Sequence, residues 1–380
     1  MKILHIIDSS GLYGAEIMLL NLMMEQKRMN LSPMLISLCQ LDEQKNEMVE
    51  EAIKRDLAAH SFKMKRGYSL SSAIKLVRLA KEANVTIIHS HGYKGDILIG
   101  SLPKHVRGIP MVRTQHGRTS TKKLSKIWFY EVLDWLIMKR MAAVVRVNRA
   151  EVRRQNVNCL PDAHSCIIEN GIPELKFEPE SIFRTDPDVV KFCKDGFVIG
   201  TIARLSEEKG LAHLITALSI LSRHNSAMKA VVIGEGPQRQ FLEALVNDAG
   251  LSGKILLAGY RDYAYNYLPL FNVFVLPSLT EGLPITILEA MQAKVPIIAS
   301  KVGGIPAVLE NGEIGILVEP GNPNALADAV TRVWSDPQGS MEMGNRARET
   351  ALAKYSSRRM AEDYLRVYNM ILRNGGDTDD

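Results

Sequence analysis

The sequence predicts an α/β protein built from two doubly wound, parallel-sheet domains in series. Short β-branched apolar runs alternate with helix-length amphipathic segments almost from end to end. That alternation breaks once, at Asn170-Gly171-Ile172-Pro173, and restarts at Phe197. At 380 residues the chain also exceeds what one hydrophobic core usually organises.

In the first half the apolar runs place strands at Lys2 to Ile7, Pro33 to Leu38, Val85 to His89, Pro110 to Thr114, Ala142 to Val147 and Ser165 to Ile168. The second half places them at Phe197 to Ala203, Lys229 to Ile233, Ile255 to Ala258, Val273 to Leu276 and Pro296 to Ala299, and then ends in helices. The domains are therefore expected at 1–175 and 196–355, joined by a charged, Pro-containing linker at 176–195. A C-terminal helix at 356–374 is expected to return toward the first domain, and the polar tail 375–380 to be disordered. No short repeat period is present, which excludes a solenoid.

Composition fits an ordinary globular enzyme, with 46% hydrophobic and 23% charged residues. The amino terminus runs straight into a strand, without the apolar core and small-residue cleavage site of an export signal. The most apolar later stretch, Ile127 to Met138, carries Glu131 and Asp134 and falls short of the roughly 20 residues a spanning helix needs. Cys39, Cys159, Cys166 and Cys193 are scattered without a CxxC pair and read as reduced thiols, so the expected location is cytoplasmic.

Charge divides the halves. Residues 1–175 carry 26 Lys and Arg against 17 Asp and Glu; the remainder carries 21 against 25. Between Lys94 and Arg154 there are 14 basic and 4 acidic residues, enough to attract an anionic membrane surface or a phosphate-bearing substrate. No nucleic-acid-binding signature accompanies the patch, so no nucleic-acid partner is expected. Lys122, Lys123 and Lys126 lead into Ile127-Trp128-Phe129-Tyr130, a pattern that suits an interfacial helix and a partly buried domain helix equally.

In open parallel sheets, ligands bind beyond the carboxyl ends of the strands, where the amides of the next helix point at them. The strongest constellation is Pro277 to Ala290, which links a strand end to a helix start and sets Glu281 and Glu289 eight residues apart. Amides at Leu283 and Ile285 are expected free in the first helical turn for a diphosphate, with Gly282 and Pro284 shaping the approach. Glu289, one turn further in, can accept hydrogen bonds from ribose hydroxyls. The bland rival is a capped helix with two exposed acids.

A second strand-to-helix turn, Gly200 to Gly210, brings Arg204 and Lys209 toward one anion, or else toward Glu207 and Glu208 as surface pairs. Gly234-Glu235-Gly236 and Gly259-Tyr260-Arg261 close the next two strands, where a nucleobase could lie. In the first half, the turn around Gly11 and Gly14 has GxxG spacing rather than GxGxxG, and no acid ends the second strand. That removes a nicotinamide dinucleotide site. His116-Gly117 follows a strand end and is the stronger functional histidine; a histidine satisfied in the core is its rival. His89-Ser90-His91 has no Asp, Glu or Cys cluster beside it, and reads as structural or substrate-binding rather than as a metal site. No cofactor and no resident metal are expected. Nucleophile-elbow, Walker and kinase signatures are all missing.

These residues resemble the retaining glycosyltransferases of family 4, a group of bacterial and other enzymes with the GT-B architecture of two Rossmann-like domains facing each other across a cleft. The resemblance covers nearly the whole length. Its most specific parts are Arg204 with Lys209, the Glu281 to Glu289 motif and the Pro320-Gly321-Asn322-Pro323 turn; Gly14-Ala15-Glu16, His116-Gly117 and Asn170-Gly171 are weaker. It implies that Arg204 and Lys209 hold the diphosphate of a nucleotide-diphosphate sugar donor, UDP first and GDP next, and that Glu289 holds the ribose. Glu281 with the Gly282 to Ile285 backbone would meet the donor sugar and β-phosphate, and His116 the sugar near its anomeric carbon. The acceptor implied is a hydroxyl of a glycan, a lipid-linked sugar or a small molecule in surface polysaccharide or glycolipid synthesis; peripheral contact with an anionic membrane, or with a phosphorylated acceptor, is what the basic stretch suggests. A sugar-nucleotide epimerase and a catalytically silent binding protein share the architecture and are the competing readings.

Overall fold

The computed structural model describes residues 1–374 except 9–10, 13, 44, 66, 116–136, 139, 148–163, 178–179, 181–185 and 224–226. The chain divides into two compact units: Met1–Pro173 together with Ser357–Asp380, and Glu174–Ser356. The fold class is α/β, two Rossmann-like units each built on an all-parallel sheet.

The first unit runs β1 (Lys2–Asp8), α1 (Gly14–Arg28), β2 (Ser32–Gln40), α2 (Glu47–Lys54), β3 (Ala58–Met64), α3 (Leu70–Glu82), β4 (Ile87–Ser90), α4 (Tyr93–Gly100), α5 (Lys104–Arg107), β5 (Met111–Gln115), β6 (Ala143–Arg146) and β7 (His164–Ile167). Its strands lie in the order β3-β2-β1-β4-β5-β6-β7. The strict alternation of β1 separates its two faces: Leu4 and Ile6 pack with α3 and α4, whereas Ile7 packs with α1 and α2. His5 shares the Ile7 face and reaches Gln26 on α1.

In the second unit the order of elements is α6 (Pro187–Cys193), β8 (Phe197–Ile202), α7 (Leu211–Ser222), β9 (Met228–Ile233), α8 (Arg239–Asp248), β10 (Ile255–Gly259), β11 (Val273–Leu276), α9 (Ile285–Gln292), β12 (Ile297–Ser300), α10 (Ile305–Val308), β13 (Ile316–Val318), α11 (Pro323–Ser335) and α12 (Pro337–Lys354). The sheet order is β10-β9-β8-β11-β12-β13. One continuous core fills the space between the sheet and α7, α8 and α11, with Ile199, Leu214, Leu218, Val232, Val275 and Val330 at its centre. Helix α11 starts where the fold needs it because Asn322 caps it, its side-chain oxygen accepting from the Ala325 amide, with Pro323 at the first helical position.

Two strands escape the sequence reading. β3 is an edge strand whose seven residues, AAHSFKM, are mostly exposed, so no apolar run marks it. β13 has only three residues. Part of the expected linker, Pro187–Cys193, is helical, with proline at its first turn. The final helix, α13 (Ser357–Asn374), belongs to the first unit, packing Met360, Tyr364, Val367, Tyr368 and Ile371 inward. Among the described residues no helix is long and apolar enough to cross a membrane.

Candidate active site

In the second unit β8 has β9 on one side and β11 on the other, so the direction of winding reverses between β8 and β11. Loops leaving two such strands diverge and leave a crevice at their carboxyl ends. The residues expected on those two loops come together there. Lys209 Nζ lies 2.6 Å from Glu281 Oε1, and Ser278 Oγ donates to the same oxygen at 2.7 Å. The lysine side chain is 21% exposed and the glutamate 8%, so the pair is shielded on most sides but open to a ligand.

The backbone fixes this meeting. The Leu279 amide donates to Glu208 O at 2.8 Å, tying the β11 loop to the β8 loop. Gly210 follows Lys209 in a left-handed conformation (φ +62°), and a Cβ there would stand 2.2 Å from Pro277 O. Only glycine lets the two loops close on each other at that point. On the other flank Gly303, at φ +57°, lies against Glu281 O, and the Gly304 amide donates to Gly282 O at 2.7 Å. Glu281 is thus gripped by the loops after β8 and β12.

Arg204 is exposed on the β8 loop. Burial works against the Glu208 carboxylate, but a bond from Ser206 and the nearby charges of Lys209 and Arg204 hold its carboxyl below the ordinary range. Both expected cations therefore act on the same small region. Glu289 sits one turn inside α9, and burial pushes its carboxyl up to about 7. A carboxyl poised near neutrality beside a helix start is a group that ligand hydroxyls can shift toward the charged form.

One detail of the expectation is corrected. α9 begins at Ile285 with Pro284 as its N-cap, so Leu283 precedes the helix instead of lying in its first turn, and it has a partner of its own. The first-turn amides of α9 start at Ile285. Gly282, Leu283 and Pro284 form the bend that brings the chain there.

The neighbouring turns line up along the same sheet edge. Gly234 donates to Gly259 O at 2.9 Å, joining the β9 and β10 turns, and Tyr260 projects with 57% of its surface exposed. Arg261 is engaged: its Nε donates to Asp186, which also accepts from Tyr267 OH at 3.0 Å. Burial opposes ionisation of Asp186, yet those bonds outweigh it and hold the carboxyl below its ordinary range. Asp186 and Asp188 have Asp-x-Asp spacing, and Asp186 spends its carboxylate on Arg261 and Tyr267.

In the first unit Gly14 opens α1 and is exposed just beyond β1. His116, Gly117 and the basic-aromatic stretch from Lys122 to Trp135 lie outside the described residues. His89 and His91 are buried, and His5 joins them to make a group of three imidazoles. The sequence reading missed His5 because it sits in β1, 84 residues before His89, and only the β1–β4 register sets the two side by side.

The comparisons decide the family. The sequence profile of the glycosyl transferases group 1 matches residues 183–350, and that of Glycosyltransferase Family 4 matches residues 13–174. The chain belongs to glycosyltransferase family 4. Among curated relatives of this family 4 member, an uncharacterized glycosyltransferase of Methanocaldococcus jannaschii is 29% identical over 304 residues, covering 76% of each chain. The Escherichia coli UDP-Gal:alpha-D-GlcNAc-diphosphoundecaprenol alpha-1,3-galactosyltransferase is 29% identical over 277 residues, covering 70% of this chain and 71% of its own. The solved structure of Anabaena HepE in complex with UDP superposes with a TM-score of 0.83 at 20% identity, covering 97% of this chain and all of that one. The fold is GT-B, and the chain is a glycosyltransferase.

Proposed function

We propose that this family 4 enzyme transfers a sugar, with retention of anomeric configuration and without a divalent metal, from a nucleotide-diphosphate sugar to a hydroxyl of a glycan, lipid-linked or small-molecule acceptor. UDP is the first choice of nucleotide and GDP the second. The observation that carries the reading is the Lys209–Glu281–Ser278 cluster at the switch point, directly ahead of a helix start. Departure of a nucleoside diphosphate builds negative charge; Lys209 and Arg204 can stabilise it as fixed cations, with the Ile285 amide adding the helix-terminal dipole. Glu289 holds the ribose, and Glu281 meets the donor sugar once the diphosphate takes over Lys209. Gly234 and Tyr260 flank the base, with Arg261 beside them. In the first unit, Gly14 and His116 are the residues to which the family resemblance assigns a role toward the donor. Acceptor attack on the face the leaving phosphate vacates, with that phosphate taking the proton, retains configuration.

The E. coli relative is named for an undecaprenol-linked acceptor and a Staphylococcus aureus relative for capsular polysaccharide synthesis. Both names support an acceptor from bacterial surface glycan assembly. A lipid-linked acceptor would suit a cytoplasmic enzyme whose basic Lys94 to Arg154 stretch meets the anionic inner face of the membrane. Incubation of the purified chain with UDP-sugars and GDP-sugars, with released nucleotide measured, tests the reading: an epimerase would convert donor without releasing nucleotide, and a silent binder would do neither.

A further inference from the structure

Several buried polar side chains gather where α1 and α13 pack on the first sheet. His5 and His89 sit opposite each other in the β1–β4 register, His91 follows β4, and Thr114 lies on β5. All four are buried, as are Gln26 on α1 and Tyr364 and Tyr368 on α13. They form an unbroken hydrogen-bond chain. His91 Nε2 meets His5 Nδ1 at 3.0 Å, and His5 Nε2 meets Gln26 Oε1 at 2.8 Å. Gln26 Nε2 donates to Tyr368 OH at 3.4 Å, Tyr368 OH meets His89 Nδ1 at 2.7 Å, His89 Nε2 meets Thr114 Oγ1 at 2.8 Å, and Thr114 Oγ1 meets Tyr364 OH at 2.8 Å.

The amide of Gln26 gives this chain a direction. Its oxygen only accepts, so His5 carries its proton on Nε2, and the bare Nδ1 accepts from His91 Nε2–H. Its nitrogen only donates, so Tyr368 accepts from Gln26 and donates to His89 Nδ1, which leaves His89 Nε2–H to donate to Thr114. Every link is then satisfied with His5 and His89 neutral. A proton added at His5 Nδ1 would force His91 to change tautomer or set two donors against each other; one added at His89 Nδ1 would turn Tyr368 into a double acceptor with its own hydrogen stranded. Burial pushes His5 down to about 4, outweighing the bond to Gln26, which acts the other way.

We propose that this chain is a proton-sensitive clasp: docking of the C-terminal helix α13 on the first unit requires neutral imidazoles, and acidification releases the helix as a local unit. The other titratable groups on the packed elements do not replace the clasp. Glu25 on α1 is taken up by Arg28 at 2.6 Å and Ser357 at 3.2 Å, and Asp363 on α13 by Arg366 at 2.7 Å. Burial raises the Cys166 thiol on β7 and the Tyr364 and Tyr368 hydroxyls, so all three stay neutral across the range in which histidines charge. The three imidazoles are close enough to share one metal ion. In the structure both nitrogens of His5 and of His89 are instead taken up by partners within the chain of hydrogen bonds.

Hydrogen exchange on the full chain, followed by mass spectrometry at pH 7.5 and pH 5.0 and corrected for intrinsic rates, tests this directly. The expected result is that protection in α13 falls by about tenfold or more at pH 5.0 while α11 of the second unit changes by less than about threefold. Tyr368→Phe keeps the volume and removes the link between Gln26 and His89, so it should lower α13 protection at pH 7.5 by about tenfold and flatten the pH response. Tyr364→Phe, which removes only the last link, should do so less. Equal α13 protection at both pH values in the wild type, or an unchanged pH response in Tyr368→Phe, would overturn the proposal. So would elemental analysis finding one zinc per purified chain.

Discussion

Lys209 Nζ and Glu281 Oε1 stand 2.6 Å apart although 72 residues of chain separate them. Two adjacent strands at the switch point bring them together. In the proposed function a donor phosphate competes with Glu281 for the lysine. Replacing Lys209 by Ala should therefore weaken UDP binding by about 10- to 100-fold, as expected for a lost charge-assisted bond, with an unchanged circular dichroism spectrum. Calorimetric titration of both proteins checks it; wild-type affinity in Lys209→Ala would remove the lysine from the diphosphate site.

If Glu289 holds the ribose as proposed, nucleotide binding depends on pH. Its carboxyl is pushed up to about 7 by burial. A raised carboxyl contributes stability that is fully present below the unfolded value of about 4.5 and is lost as pH rises through about 7. Ribose hydroxyls donating to the carboxylate reverse that preference, so UDP affinity should drop on the order of tenfold between pH 7.5 and pH 5.5 beyond any titration of UDP itself. Glu289→Gln supplies the comparison and should lack this component. Parallel curves for the two proteins would mean that Glu289 does not meet the nucleotide as a carboxylate.

Gly303 carries the grip on Glu281. With φ at +57° and Glu281 O where a Cβ would go, Gly303→Ala must move the β12 loop away from the Glu281 turn. The melting temperature should fall by about 4 °C or more, and nucleotide affinity should fall with it. Thermal unfolding with and without UDP separates the two effects. A variant as stable as wild type would show that the loop yields without cost.

Much of this was legible in the sequence because parallel strands buried on both faces read as apolar runs, and because glycines and charges gather where such strands end. Val273–Leu276 is recovered to the residue and most other strands to within one or two. β3 is not, since an exposed edge strand carries no apolar signature. In the site, Glu281 and Lys209 could be named, but not the partners that hold them. Gly303 and Ser278 act through a backbone approach and a single hydroxyl, and neither leaves a pattern in one sequence. His5 was hidden for a related reason: its meaning depends on the strand beside it.

Donor chemistry built on fixed cations and a helix start needs no divalent ion. Nucleotide release from the productive donor should persist in EDTA at close to its full rate. Loss of activity in EDTA, restored by manganese, would show that the leaving-group charge is met by a metal and not by Lys209 and Arg204.

Binding of a nucleoside diphosphate by the second unit at the Lys209–Glu281 crevice can be measured by isothermal titration of the purified chain with UDP, and then GDP, in metal-free buffer. Saturable one-to-one binding of at least one of them is expected, lost or strongly weakened in Lys209→Ala and in Glu289→Ala while both variants remain folded. Absence of binding by either nucleotide to the wild type, or binding that both variants retain at full strength, would contradict it.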